Sequence, residues 1–315
     1  MPDSSRAAAR PELACIVLSL RDEPGLVQVV GSVLGQSEPL EVVVVNSGGG
    51  YPTRRLRAAG LGVPVIDRRR RLYPGAARNL GIEATSAPFV AFLAADCVAE
   101  PGWAAARLRS HRAGAQAVAG AITNAFPHSR SACASHLLLH HRRMPGALED
   151  ERLLYSLSYE RWLFDRFGTF REDLRQDEDT EFNARLGPEC TLVWNPRVRI
   201  AHLYPDHPLA LLRDQWDRGR LRATVSRGTW EPWGPRYTAA GAFRGAHAAV
   251  RHARRVREPD GPGLLRHAAP LLGPALLAYV GGLVSESLRL RLGDHLSYAR
   301  PRGIRRSSTP RSPVR

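Results

Sequence analysis

The sequence predicts an α/β protein built on a mostly parallel sheet, with a helical extension at its C-terminal end. Two observations carry the sheet. "LACIVLSL" (13–20) and "LEVVVV" (40–45) are continuous apolar runs, which suit strands covered on both faces. Between and after them, apolar residues recur at helical spacing, so strands alternate with helices and right-handed crossovers follow. A third observation marks the extension: two basic amphipathic patterns near the C-terminus precede an uncharged segment at 268–284.

The elements follow in order. After the first strand, Pro24-Gly25 opens a helix with Leu26, Val29, Val30, Val33 and Leu34 on one face. The second strand ends in "NSGGG"; a short polar helix over 52–59 leads to a strand at 63–66 and a helix at 74–84. "FVAFLAADC" then gives a buried strand that meets a single acid, Asp96, before the loop at Pro101-Gly102. In the second half a helix over 130–142 carries His136 and His140 four residues apart. That is a possible zinc spacing, with no general-base glutamate between them and no evident third ligand. "QDEDTEFNARL" opens a helix with Phe182, Leu186 and Asp179 toward its inner face, although acids also suit a first helical turn. "TLVWNPRVRIAH" reads as two short strands ending at His202, and 210–223 and 242–257 as basic helices. The organisation is a disordered tail over 1–12, a main domain over 13–225, a helical segment over 226–299 and a basic tail over 300–315.

At 315 residues, 43% hydrophobic and 24% charged, the chain is globular in composition. Its formal charge of +15 comes entirely from arginine, since lysine is absent. Arginine suits phosphate and carboxylate recognition. A nucleic-acid partner is not expected, because aromatic residues make up 7% and are scattered rather than interleaved as a stacking surface. The four cysteines form no CxxC pair, as expected of buried thiols in a reducing compartment, and the first fourteen residues lack a signal peptide's apolar core. The 268–284 segment is short for a membrane span and contains two prolines. It is interfacial, a buried helix or a span. Basic helices beside it suggest peripheral contact with an anionic membrane.

In parallel sheets ligands sit outside the C-terminal ends of the strands. Those ends carry Arg21-Asp22-Glu23, Asn46 to Gly50, Asp67 to Arg71, and Asp96. Glycine lets backbone approach a ligand and arginine pairs with phosphate oxygens, so a phosphorylated ligand is expected.

The same pieces resemble the family 2 glycosyltransferases, which have the GT-A nucleotide-sugar-binding fold. The resemblance spans roughly 13–225 and is strongest in "ACIVLSLRDEPGLVQVVGSVLGQ", "LEVVVVNSGGG", "PGAARNLGIEATSAPFVAFLAADCVAEPGW" and "FGTFREDLRQDEDTEF". It implies that Ser19, Leu20, Arg21, Asn46 and Ser47 border the nucleotide base, and that Arg78 approaches base or diphosphate. Asp96 matches the last acid of the DxD-type metal motif, and His202 a histidine that can complete the metal site. Asp179 matches the catalytic base, with Glu178 beside it in the catalytic pair. The implied donor is a UDP- or GDP-sugar, the cofactor Mg2+ or Mn2+, and the acceptor a hydroxyl, lipid-linked or of the cell envelope, met on the cytoplasmic side. The chain departs from the family pattern at Ala94, Asn46 and Ser19, where the first two losses remove negative charge. That leads to an expectation of weak or dispensable metal, with Arg68 to Arg71 or Arg78 neutralising part of the diphosphate. A catalytically degenerate nucleotide-binding or scaffold protein on the same fold is the alternative.

Overall fold

The computed structural model describes residues 10–152, 158–225, 239–256 and 261–298. The expected tails lie outside these residues except at 10–12. There Glu12 already belongs to the fold: its carbonyl accepts the Phe89 N–H at 3.0 Å and its carboxylate pairs with Arg112.

The first half follows the predicted alternation. β1 (Leu13–Leu20), α1 (Leu26–Leu34), β2 (Leu40–Ser47), α2 (Pro52–Ala58), β3 (Val65–Arg68), α3 (Pro74–Glu83) and β4 (Phe89–Ala94) place four parallel strands side by side. β5 (Cys97–Ala99), α4 (Trp103–Arg112), β6 (Ala117–Asn124), α5 (Arg130–His140), β7 (Ser158–Glu160), α6 (Trp162–Phe167), α7 (Glu178–Leu186) and β8 (Leu192–His202) complete the sheet. Its strand order is β3-β2-β1-β4-β7-β6-β8-β5. β6 and β8 are parallel, whereas β7 pairs antiparallel with β4 and β6, and β5 antiparallel with β8. The sheet is therefore mixed, with its parallel half first in sequence.

Side-chain alternation along β1 explains both cores. Leu13, Cys15 and Val17 point toward α1 and α4, meeting Val29, Val33 and Trp103. Ile16 points the other way, toward Ala77 and Ile82 of α3 and the rings of Phe164 and Phe182. Gly81 is needed there, because a Cβ would stand 2.3 Å from a methyl carbon of Ile16.

"TLVWNPRVRIAH" forms one strand rather than two. Gly120 pairs with Asn195 and Ala121 with Arg199, so residues 196–198 bulge out of register. Pro196 has no N–H to give a ladder, and Gly120 leaves the space, since a Cβ there would lie 2.4 Å from the Val198 carbonyl oxygen.

The last helices are α8 (Pro208–Val225), α9 (Ala239–Arg255) and α10 (Gly261–Tyr298). They share a third core with α5, formed by Leu137, Leu211, Ala249, Ala253, Leu264 and Ala268 among others. α8 and α10 touch backbone to backbone: a Cβ on Gly282 would stand 2.1 Å from the Trp216 carbonyl oxygen. The 268–284 segment lies inside α10, which is long and apolar enough over Pro262–Leu290 to cross a membrane, and 22% of its most apolar window is buried. Leu277, Val284 and Leu288 are exposed along it.

Candidate functional site

The strand order reverses its direction of growth between β1 and β4, and open α/β sheets bind ligands at such a point. The structure gathers the sequence-predicted residues around the C-terminal edge into three groups.

The first group closes the β1 and β2 ends. Asn46 is fully buried; its Oδ1 accepts the Asp22 N–H at 3.0 Å, and its Nδ2 donates to the Gly49 carbonyl at 3.0 Å and to Asp67 Oδ1 at 2.9 Å. The Arg21 N–H donates to the Ser47 carbonyl at 2.8 Å. Arg21 and Asp22 take positive φ (57° and 55°), and so do Gly48, Gly49 and Gly50. The glycines permit this: a Cβ on Gly50 would lie 2.4 Å from Asp22 Cβ. Ser19 is buried with an Oγ that has no partner among the described residues, while Leu20 is half-buried and Arg21 exposed.

The second group joins α3 to α7. Arg78 Nη2 pairs with Glu178 Oε1 at 3.0 Å, and both side chains are nearly buried. The guanidinium lies 5.0 Å from the centre of the Phe92 ring and 5.3 Å from that of Phe170. Burial favours its neutral form, but Glu178 and Asp179 outweigh that and raise its pKa. Burial raises the Glu178 pKa, against Arg78, which lowers it, and with Asp179, which raises it further. The next residue of α3, Asn79, fastens the approach to α7. It donates to the Phe170 carbonyl at 2.9 Å and accepts the Phe170 N–H at 3.0 Å. "AARN" thus holds the chain that presents "EDTEF". Asp179 is half-buried, and its Oδ1 accepts the Thr180 N–H at 2.8 Å.

The third group lies at the turn between β4 and β5. Asp96 Oδ2 stands 3.6 Å from His202 Nε2, and β5 pairs Cys97 directly with His202. The ring of His202 stacks on Tyr204 at 4.2 Å, and its Nδ1 is buried without a partner among the described residues. Burial lowers the His202 pKa, and Arg218 and Arg143 add to this against Asp96, so the imidazole is neutral and able to donate a lone pair. Asp96, Cys97 and His202 offer ligand atoms within 4.8 Å of one another. Burial pushes the Cys97 thiol well above its usual range; it stays protonated and donates to Asp96 Oδ1 at 3.3 Å. The donor set is therefore one carboxylate and one neutral imidazole. Both fit Mn2+, and the carboxylate fits Mg2+, which keeps most of its waters.

Two residues here were given no individual role by the sequence reading. Glu23, next to Asp22 at the β1 end, is pushed up to about 7 by burial and then by the charge of Asp96. It sits near Asp96 because Gly25 lets the loop press against the Ala95 carbonyl, where a Cβ would be 2.4 Å away. Its signal was an acid at a strand end. Tyr204 is the other. His136 and His140 both direct Nδ1 at its hydroxyl, His136 at 2.9 Å, so their four-residue spacing builds a buried hydrogen-bond cluster rather than a zinc pair.

A sheet flanked on both faces thus carries acids, arginines and an acid–histidine pair along its C-terminal edge. Residues 15–166 match the family model described as Glycosyl transferase family 2. Among solved structures it is similar to a mannosyltransferase from Pyrobaculum calidifontis in complex with GDP-Man and Mn2+, at TM-score 0.54 and 18% identity over 89% of this chain and 88% of that one. That likeness establishes a shared fold. Similarity to S. aureus TarS residues 1–349 with UDP-GlcNAc is lower, at TM-score 0.42 and 18% identity over 90% and 92%. No curated protein matches the chain.

Proposed function

We propose that the protein transfers a sugar from a nucleotide-diphospho-sugar to a hydroxyl acceptor with inversion, using Asp179 as base. The observation that carries the reading is the half-buried Asp179 on the first turn of α7, beside the buried Arg78–Glu178 pair. The acceptor oxygen bonds to the anomeric carbon as the bond from that carbon to the diphosphate oxygen breaks. Its proton passes to Asp179, and the nucleoside diphosphate leaves with the electron pair. Glu178 is a positioning residue, since Arg78 holds it. Asp96 and His202 are the residues that would hold Mg2+ or Mn2+, which when bound neutralises charge on the leaving diphosphate. Arg68 to Arg71, exposed at and beyond the end of β3, would carry part of that charge and weaken the metal requirement. An unchanged Mn2+ requirement after Arg69→Ala and Arg70→Ala would remove this last point.

The exposed apolar residues of α10 and exposed arginines of α9, among them Arg251 and Arg254, support peripheral contact with an anionic membrane at its cytoplasmic face and a lipid-linked or envelope acceptor. Co-flotation with anionic but not neutral vesicles tests this. A second reading, a nucleotide-binding protein without turnover, is favoured by Ala94 and Asn46 in place of acids. Hydrolysis and transfer assays over a panel of nucleotide-sugars, with wild type and Asp179→Asn, separate the two.

A further inference from the structure

We propose that Asp67 reads the donor's base and selects guanine; this rests on the glycosyltransfer reading above and names its nucleotide. Ser19, Asn46 and Asp67 stand in register across β1, β2 and β3, so their side chains leave the same face of the sheet at its C-terminal edge. In the family pattern an acid stands at the middle position. Here that residue is an uncharged amide, and both of its protons are spent, one on the Gly49 carbonyl and one on Asp67 Oδ1. Its own oxygen holds the Asp22 N–H. Asn46 therefore serves as the floor of the loop and fixes the next carboxylate along the row. The acid has moved one strand outward.

Asp67 is exposed and lines a cavity of about 380 Å3 together with Tyr51, Arg54 and Arg57. Tyr51 is 75% exposed, with an aromatic ring that offers a flat apolar surface to a base, and its N–H is anchored on Asp22 Oδ2 at 3.3 Å. Arg55 Nε holds the same oxygen at 3.1 Å, so the lip of the cavity is braced by the residue that Asn46 also fixes. Ser19, two strands along the row, is buried with its hydroxyl unpartnered among the described residues.

A carboxylate has about four acceptor positions, of which Asn46 uses one. Guanine presents N1–H and an N2 amino proton side by side, matching both carboxylate oxygens. Uracil presents a single N–H between two carbonyls, one of which would face the second carboxylate oxygen. Adenine and cytosine put an acceptor nitrogen beside their amino group. A base edge with two parallel donors is therefore the one this acid favours.

The test measures dissociation constants of the full chain for GDP, IDP, UDP and ADP by calorimetry, with wild type and Asp67→Asn. IDP lacks only the amino group. The expected result is GDP binding about tenfold to a hundredfold tighter than IDP or UDP, from one hydrogen bond to a charged acceptor. Asp67→Asn should remove most of the GDP advantage over IDP and UDP, whose own affinities fall less than that of GDP. The wild-type ratios alone decide the matter if the variant does not fold. Equal GDP and IDP affinity, a preference for UDP or ADP, or a GDP preference that survives Asp67→Asn would each overturn the assignment while leaving glycosyltransfer standing. Failure of wild type to bind any nucleotide would overturn the reading beneath it as well.

Discussion

Replacing Arg78 by Met keeps an apolar stem between Phe92 and Phe170 but strips Glu178 of its cation. The pair is 3.0 Å apart, with side chains only 12% and 5% exposed, so the carboxylate left behind cannot be rehydrated without opening α3 from α7. Removing one partner of a buried pair costs about 3–5 kcal/mol, and the lost contact with the two rings adds up to ~1 kcal/mol. The cost must depend on pH. Burial already raises the Glu178 pKa, and without Arg78 it rises further. A carboxyl whose folded pKa is raised stabilises the fold below its unfolded pKa and loses that contribution as pH rises through the folded value. Arg78→Met is therefore expected to be mildest near pH 5, where Glu178 can take up a proton, and to reach its full cost near pH 8. Urea denaturation at both pH values measures this by linear extrapolation. The double variant Arg78→Met, Glu178→Leu should recover more than half of the loss. A cost under about 1 kcal/mol at pH 8, no pH dependence, or strict additivity in the double variant would refute the reasoning.

Other outcomes follow from the same geometry. Burial depresses His136 to about 3 and His111 to about 4. Both stay neutral in the fold while the unfolded chain takes up protons below about 6.5, so stability falls with acidity, by about 1.4 kcal/mol for each at pH 5.5; a flat denaturation profile between pH 7 and 5.5 would contradict this. Gly75→Ala puts a Cβ 2.1 Å from the Arg171 carbonyl oxygen and should cost ~1–3 kcal/mol, whereas Gly245→Ala, exposed on α9 with nothing within 4 Å among the described residues, should be neutral or stabilising by up to ~1 kcal/mol. Asn79→Ala loses both bonds to Phe170 and should lower stability by ~2 kcal/mol, with turnover falling because the chain leading to Asp179 loosens. Melting curves for these three variants rank them.

The parallel half of the sheet was legible because doubly covered strands leave continuous apolar runs and their helices leave a one-sided stripe. Leu13 to Val17 and Val42 to Val45 are all buried as that pattern requires. Leu34, assigned to the α1 stripe, is 45% exposed, since a stripe is widest in mid-helix and frays at its end. β7 lies in three residues with no flanking periodicity to announce them. The β8 bulge was hidden because Pro196 breaks a strand pattern in sequence, whereas in space Gly120 accommodates the break. Asp96, Asp179 and His202 are proposed as site residues from motif and position. The partners that set their chemistry could not be read that way: Arg78–Glu178 spans α3 to α7, and Glu23 meets Asp96 only through the packing of Gly25. Such pairings are fixed by tertiary contact, which one sequence does not display.

The most direct measurement is sugar transfer or donor hydrolysis by the full chain over a panel of nucleotide-sugars, comparing wild type with Asp179→Asn after both are shown to be folded. A catalytic base typically contributes 10²–10⁴-fold, so Asp179→Asn should retain donor binding while losing about that much turnover. Turnover unchanged in Asp179→Asn, or no turnover by wild type with any donor it binds, would contradict the account.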